Sequence, residues 1–487
     1  MIIRKKTNEV AKQAREALLS IPFYQKKLKH YNVPKKEVRK IRDIETLSEF
    51  LDKYSYVPWV SENDLMNYDF SAKLSRVPLE KRTWLQATSG YFLAEKISSP
   101  YLKDSTEEIL KIISRKKVAF TKKDVKKVVN TVIKSRLKEL TGTSTPTLAI
   151  IARFGDLCGS GTYPLLTLAG NFLKYNPKVL YYGEPKNSNQ LLQWAYELYK
   201  INPEGILTTP IMIEKLYKTL EENLSFTSFS NLKFISLGAM RPLKSSLDAS
   251  CKIGAKIIIN GYGLQEVAPL GIVAQGILFS SIKKIPPTDG LITLGSLYFV
   301  RIVDKEGKTV NPGEKGTIRI TSPFEGTTLI DYDTKDIGKL VALNSLITYH
   351  NKNFKVPWPL LDINITRSIE HSIDVVEHRV DTVLLEELCS SVDGYSFLVG
   401  SDIKNLYIFF KDDVPNEKIE KFKKMINLSL PEEVVANTKI CKIPKEVMNK
   451  FLHPIEHYKP HNFLKESSKI KELIKLFNQL YKERENL

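Results

Sequence analysis

Short apolar runs alternate with amphipathic stretches from residue 147 onward, and this rhythm predicts βα units. The strands are expected at Leu148-Ala149-Ile150-Ile151, Val179-Leu180-Tyr181-Tyr182, Gly205-Ile206-Leu207-Thr208, Phe234-Ile235-Ser236 and Ile257-Ile258-Ile259. The intervening helices are expected at 163–174, 188–199, 210–222 and 242–250. Runs that are apolar throughout suit strands covered on both faces, so the pattern predicts a parallel sheet with right-handed crossovers. After residue 270 the spacing shortens to β segments punctuated by turn glycines, among them Leu297–Val303 and Thr317–Ile320, which predicts an antiparallel subdomain. From about 366 a smaller α+β pattern follows, with Asn405–Phe410 as a strand and 415–429 as a helix. Ahead of all this, helical spacing at 8–30 keeps Ala11, Ala14, Leu18 and Ile21 on one face. The same spacing across 104–140 does so for Val125, Val128, Val129, Val132 and Ile133. The expected fold is α/β: a large domain over 1–365 with a parallel sheet and a β subdomain, and a small α+β domain over 366–487.

Composition narrows the classes. A chain of 487 residues exceeds one ordinary domain, and 42% hydrophobic with 26% charged residues is the balance of a globular protein. The net charge of +18 invites polyanions. The lysines are spread along the chain, however, and no nucleic-acid motif accompanies them, so a solvated lysine-rich surface is expected rather than a nucleic-acid partner. The opening Met1-Ile2-Ile3-Arg4-Lys5-Lys6 has no signal-peptide core, and no apolar run is long enough to cross a bilayer. A cytoplasmic protein without a membrane partner is therefore expected. Cys158, Cys251, Cys389 and Cys441 are far apart, which argues against disulfides or structural zinc and for small core residues. His453, His457 and His461 recur every four residues, but Pro454 and Pro460 interrupt the helix that would align them as metal ligands.

The chemistry concentrates after the strand Lys256–Ile259. Asn260-Gly261-Tyr262-Gly263-Leu264-Gln265-Glu266 reads as a glycine turn closed by a carboxylate. Glycines at 261 and 263 let a ligand approach the backbone, Tyr262 can stack on a base, and Glu266 can hold Mg²⁺ beside phosphate oxygens. The stretch resembles the Asn-x-Tyr-Gly-x-Thr-Glu signature of the adenylate-forming ligases, and other elements of that family follow in order. Ser236-Leu237-Gly238-Ala239 is similar to its turn against adenine. Val303–Gly307, Pro312–Ile318 and Tyr332-Asp333-Thr334-Lys335-Asp336-Ile337-Gly338 resemble its strand, hairpin and Thr-Gly-Asp run. Ile21–Leu28 and Ile44–Leu47 echo the phenylacetate-CoA ligase group within it.

The resemblance implies ATP-dependent activation of a carboxylic acid, aryl or fatty, to an acyl-adenylate, followed by transfer to CoA. The cofactors would be ATP/AMP, Mg²⁺ and CoA, and the domain beyond 366 would be a lid that reorients between the two half-reactions. Glu266 would ligate Mg²⁺, Asp336 would hold the ribose hydroxyls, and Arg367 would reach the ribose. Lys459, in Tyr458-Lys459-Pro460-His461-Asn462-Phe463-Leu464, would be the mobile catalytic cation. Tyr181–Gly183 and Thr208–Pro210 fall where the group lines its acyl pocket and adenine side. Several departures stand out: Gln265 replaces a threonine, Tyr458 a glycine and Asn462 an arginine, and Glu370 and Arg379 fit only with an insertion. The largest departure is the phosphate loop. Ala87-Thr88-Ser89-Gly90 matches its start, but Tyr91-Phe92-Leu93-Ala94-Glu95-Lys96 lacks the second glycine and both threonines. Either Lys96 closes a degenerate loop, or an insertion separates Ser89 and Gly90 from Lys116–Thr121, which keeps the family's later spacing. Gly142–Pro146 reads as a turn. Transfer to a carrier thiol and a non-catalytic nucleotide- or acyl-binding descendant stay open as rivals, as do monomer and homodimer.

Overall fold

The computed structural model describes residues 2–54, 58–65, 72–88, 116–132, 138–152, 177–183, 187–224, 228–267, 271–283, 285–349, 352–367, 372–375, 378–394, 396–401, 404–452, 463–464 and 471–473, with the single residues 185, 269 and 475. The chain divides into two compact units, Met1–Pro242 with Ala249–Ile365, and Leu243–Asp248 with Thr366–Leu487.

In the first unit, strands β1 (Arg82–Thr88) and β2 (Lys116–Thr121) form an antiparallel pair. The main sheet is built from β3 (Thr147–Ile151), β4 (Lys178–Tyr181), β5 (Gly205–Thr208), β6 (Phe234–Leu237), β7 (Ile257–Gly263), β8 (Ile272–Ser280), β9 (Leu291–Thr293), β10 (Phe299–Val303), β11 (Lys315–Pro323) and β12 (Thr328–Ala342). A hairpin of β13 (Ser345–Tyr349) and β14 (Lys352–Val356) precedes the short β15 (Leu360–Leu361), and the sheet order is β10-β11-β12-β15-β9-β8-β7-β6-β5-β3-β4. The five expected parallel strands are present, with helices Ser188–Ile201, Pro210–Leu224 and Lys244–Ile253 between them in the chain. Leu148, Ile150, Ile206, Phe234, Ile235, Ile257 and Ile258 are fully buried, each worth about 2 kcal/mol of apolar transfer. Strands β8 to β12 and β15 continue this sheet, while β13 and β14 pair only with each other. Strand β7 turns at Gly263 straight into β8, where an added Cβ would lie 2.2 Å from the Gly271 carbonyl oxygen.

Two expectations about the N-terminal region are corrected. The helix over 8–30 is two helices, Ile2–Ser20 and Pro22–His30, because Pro22 forces Ile21 into extended backbone at ψ 121°. Lys116–Thr121 is a strand, not helix. The helical spacing begins only at Lys122, where Thr121 and Asp124 form a reciprocal capping box. Asp124 also accepts the backbone N–H groups of Glu325 and Gly326 at 3.0 Å each, pinning the β11–β12 turn to this helix. The expected helix 163–174, Cys158 and the three clustered histidines lie outside the described residues. Cys389 is buried as expected, whereas Cys251 is exposed on the helix Lys244–Ile253.

Strand β12 is irregular twice. Its pairing with β11 shifts between Ile320 and Ser322 and again between Thr317 and Arg319, leaving extra residues on β12 near Asp331 and Lys335. Both adopt left-handed backbone, φ 48° and 62°. Bulges deprive backbone groups of ladder partners, and buried polar groups must be paired elsewhere. The phenol of Tyr24 does this, accepting from the Ile330 N–H at 3.0 Å and donating to the Thr328 carbonyl at 2.7 Å. Burial raises the Tyr24 pKa well above the usual phenol value, so it stays a donor. Beside it, Asp331 takes Arg301 through Nη2 at 2.7 Å and Arg319 through Nη1 at 3.0 Å, while Arg301 also reaches Asp52 at 2.6 Å.

The second unit begins with β16 (Thr366–Arg367) and the hairpin of β17 (Ser372–Val375) and β18 (His378–Asp381). Its sheet has the order β21-β20-β19-β22, from β19 (Phe397–Ser401), β20 (Leu406–Lys411), β21 (Thr438–Ile443) and β22 (Phe463–Leu464). Helices Thr382–Asp393 and Asn416–Ser429 bury Leu385, Cys389, Phe422 and Ile426 against Phe397, Val399, Ile408 and Phe410 of this sheet. No helix among the described residues is long and apolar enough to cross a membrane.

Asp331→Asn keeps the shape of the side chain but leaves two buried guanidinium groups facing a neutral amide. The first unit should lose about 3–5 kcal/mol, read as a lower urea midpoint.

Candidate functional site

The parallel strands end side by side. Thr208 of β5, Leu237 of β6 and Asn260 of β7 are in register, so their C-terminal ends form one row. Sheet order reverses between β3 and β5, where open α/β sheets leave a crevice for ligands. The Thr208 hydroxyl bridges to the Ile151 carbonyl across that gap at 2.7 Å. Three features of the row are unfavourable in the protein by itself. Asn260 is 4% exposed and Thr209 fully buried, yet Oδ1 of the first and Oγ1 of the second have no hydrogen-bond partner among the described residues. Each such buried atom costs about 1–3 kcal/mol. Ala239, following Gly238 at the end of β6, is held at φ 68°, a further cost of about 1–2 kcal/mol for a residue with a Cβ. The two turn glycines separate in role. Gly263 is demanded by the approach of Gly271, while a Cβ on Gly261 would meet only the Leu237 carbonyl at 3.9 Å and Gln275 Cγ at 4.0 Å. Packing alone does not require glycine at 261, and the space beside it suits a closely approaching ligand.

The two expected carboxylates come from distant segments and are tied to each other's segment. Glu266, in the turn after β7, is 4% exposed and accepts from the Tyr332 hydroxyl at 2.9 Å. Asp336, on β12, is 5% exposed and accepts from the Tyr262 hydroxyl at 2.7 Å. Each segment thus carries a tyrosine four residues before its own carboxylate and donates it to the other segment's carboxylate. Strands β15, β9 and β8 separate β7 from β12 in the sheet, so this crossed pair fixes a distance that no backbone ladder sets. The Asp336 N–H is anchored on Thr334 Oγ1 at 3.0 Å, and that hydroxyl donates to the Ile318 carbonyl at 2.8 Å. Lys335, where the resemblance expects glycine, sits in left-handed backbone. Asp333 clamps it through the backbone N–H at 3.0 Å and Nζ at 2.7 Å.

Of the residues expected from sequence, Gly238, Ala239, Asn260, Gly261 and Gly263 lie along the strand-end row. Tyr262 joins Asp336, and Glu266 joins β12 through Tyr332. Arg367 lies in β16 at the start of the second unit. Ser89, Gly90 and Lys459 lie outside the described residues. Thr88, however, pairs with Lys116, so the strand leading into Ser89-Gly90 runs against the strand that starts with Lys116-Lys117. Thr209 falls in the Thr208–Pro210 stretch expected beside the pocket, whereas Tyr332 carries no role of its own in the sequence reading. The recurring Tyr-x-x-x-carboxylate spacing, Tyr262 to Glu266 and Tyr332 to Asp336, was the available signal for Tyr332. Among the described residues no three metal-ligating side chains cluster. A cation here would take one protein carboxylate and fill its remaining positions from phosphate and water, as Mg²⁺ does with nucleotides.

The fold has counterparts among solved structures. A 2-hydroxyisobutyryl-CoA ligase in the postadenylation state, in complex with R3-HIB-AMP, superimposes with a TM-score of 0.69 at 14% identity, over 98% of this chain and 91% of that one. The same ligase with 2-HIB-AMP and CoA in the thioesterification state gives 0.55 at 15% identity, over 99% and 92%. The chain has the fold of the adenylate-forming ligases. No protein-family model and no curated protein matches its sequence.

Lys335 offers a direct check on β12. Lys335→Gly removes the left-handed strain and an ion pair that is half exposed and therefore worth little. It should be at least as stable as the native chain and about 1 kcal/mol more stable than Lys335→Ala in urea denaturation, since alanine keeps the strain and loses the clamp.

Proposed function

We propose that this chain is an ATP-dependent acid–CoA ligase that activates a carboxylic acid as its acyl-adenylate and passes the acyl group to CoA. The observation carrying this reading is the crossed Tyr262–Asp336 and Tyr332–Glu266 pair beside a strand-end row with unsatisfied polar atoms. The residues present suit a nucleotide. The Asn260 Oδ1 is an acceptor for an exocyclic amine, the Tyr262 ring offers a flat face, and the Gly238–Ala239 turn and Gly261 leave backbone open to a base. Asp336 would accept ribose hydroxyls, the role in which the sequence resemblance also puts Arg367. Glu266 would hold Mg²⁺, which supplies neutralisation of phosphate charge during attack on the α-phosphate. Ser89 and Gly90 would contribute backbone N–H groups to the phosphates, and Lys459 the cation that stabilises charge on the attacking carboxylate. The fold neighbours, named as a CoA ligase with its acyl-AMP and CoA, support the same two half-reactions. An aryl or fatty acid in the manner of phenylacetate-CoA ligase is the substrate class the sequence resemblance favours. One observation favours a second reading, a nucleotide- or acyl-binding protein without catalysis: Tyr91-Phe92-Leu93 follow Gly90 where a glycine-threonine phosphate loop is expected.

Pyrophosphate release from ATP and Mg²⁺ with a panel of aryl and fatty acids separates the two readings. Release with any of the acids supports the first, and thioester formed on adding CoA separates transfer to CoA from transfer to a carrier thiol. No release, with nucleotide binding retained, establishes the second. In the active protein Glu266→Gln should lower adenylation by about 10² without unfolding the chain, because the amide cannot replace the charged ligand.

Asp336→Ala should weaken AMP binding at least tenfold by calorimetry, the loss of roughly 1.5–3 kcal/mol per hydrogen bond to a charged group. Equal affinity would make Asp336 a structural partner of Tyr262 only.

Lys459→Ala should stop acyl-AMP formation while a supplied acyl-AMP and CoA are still converted to thioester, since the cation acts in the first step alone. A variant as active as the native protein in both steps would move the role to Lys450 or Lys465.

A further inference from the structure

We propose that Tyr332 is a positioning residue for the cation: its hydroxyl holds one oxygen of Glu266, so that the carboxylate is oriented before Mg²⁺ and nucleotide arrive. The inference rests on the reading of Glu266 as the cation ligand and goes beyond it by assigning the residue that aims it.

The geometry separates Tyr332 from a buried tyrosine that has merely found an acceptor. Its own placement is over-determined. The ring is fully buried, its backbone bridges to Val60, and the Asp333 N–H donates to the Val60 carbonyl at 3.1 Å. On one side Asp331 is locked by Arg301 and Arg319, and Ile330 by the Tyr24 phenol. On the other, Lys335 is clamped by Asp333. Glu266 sits in the turn between β7 and β8, where the Leu264 N–H donates to the Gly271 carbonyl and the Ser322 hydroxyl to the Val267 carbonyl, and one of its carboxylate oxygens meets the phenol at 2.9 Å. A phenol fixed on both sides in this way sets where that oxygen lies. A hydrogen bond from an outer partner that fixes a ligating carboxylate commonly governs metal affinity by tenfold or more.

The test is ATP affinity by calorimetry, measured with Mg²⁺ and with EDTA, in the native chain, Tyr332→Phe, Glu266→Gln and the double variant, with a melting curve for each. The native chain should bind more tightly with Mg²⁺. Tyr332→Phe should lose roughly tenfold of that gain while its affinity in EDTA stays the same, and it should add no further loss in the Glu266→Gln background. Mn²⁺ bound in the presence of ATP, followed by electron paramagnetic resonance, should weaken in parallel. A tyrosine that only supports the fold would lower the melting temperature and both ATP affinities together, which overturns the proposal. If Glu266→Gln abolishes the Mg²⁺ gain and Tyr332→Phe keeps it, the positioning role fails and the ligand assignment stands. If the native chain shows no Mg²⁺ gain, or Glu266→Gln retains it, the ligand assignment fails and takes the positioning role with it. Should Tyr332→Phe not fold, Tyr332→Met, which fills most of the ring's volume without a hydroxyl, is read the same way.

Discussion

A single buried carboxylate, Asp331, organises the part of this molecule on which its chemistry would depend. It neutralises Arg301 and Arg319, which stand opposite each other on β10 and β11, and Arg301 is closed on its far side by Asp52 from the helix Ile44–Tyr54. Two arginines and two aspartates make the group electrically neutral. That matters because each ion would otherwise cost several kcal/mol to bury. Replacing such a group by apolar residues is often no worse for stability, so what it supplies here is placement. Asp331 reaches both guanidinium groups from a left-handed bulge, and β12 returns to its pairing with β11 at Tyr332, the next residue.

From that fixed point the arrangement propagates by short steps. Tyr24, from the N-terminal helices, fills the gap the bulge leaves in the ladder, so helices far from the strand-end row help to set it. Tyr332 then reaches Glu266, and four residues on, past the second irregularity, Asp336 receives Tyr262. Preorganised charges work in a site because they need no reorganisation when charge develops, provided that their supporting residues are themselves rigid. Strain is tolerated at Asp331, Lys335 and Ala239 for the same reason: the surroundings of each leave no easier conformation.

How much of this could be read beforehand follows from the range of each interaction. The five parallel strands were legible because burial on both faces writes itself as unbroken apolar runs, and the Asn260–Glu266 turn because its glycines and carboxylate are adjacent in sequence. Asp336 was legible through a neighbouring Thr334. The crossed hydrogen bonds were not, since the repeated Tyr-x-x-x-carboxylate spacing marks Tyr262 and Tyr332 but does not say that each phenol meets the other segment's carboxylate, for Tyr332 one that lies 66 positions away. Lys116–Thr121 was misread for the opposite reason. Its apolar centre Val118-Ala119-Phe120 runs into the amphipathic stretch from Lys122, and periodicity alone does not mark the boundary that the Thr121–Asp124 capping box makes. Cys251 shows the limit of composition, since a cysteine on a helix is buried only if its face is.

The pairing of β1 with β2 bears on the one region where the resemblance to the ligases is weakest. Thr88 stands opposite Lys116, so the end of β1 and the start of β2 are paired side by side. Loop-closure entropy grows slowly, with each doubling of length costing about 0.6 kcal/mol, and a long insertion between paired strands is thermodynamically tolerable. Of the two registers for the phosphate loop, an insertion between Gly90 and Lys116 therefore asks less of the fold than a loop closed by Lys96. It leaves Thr88 and Lys116 paired at its mouth.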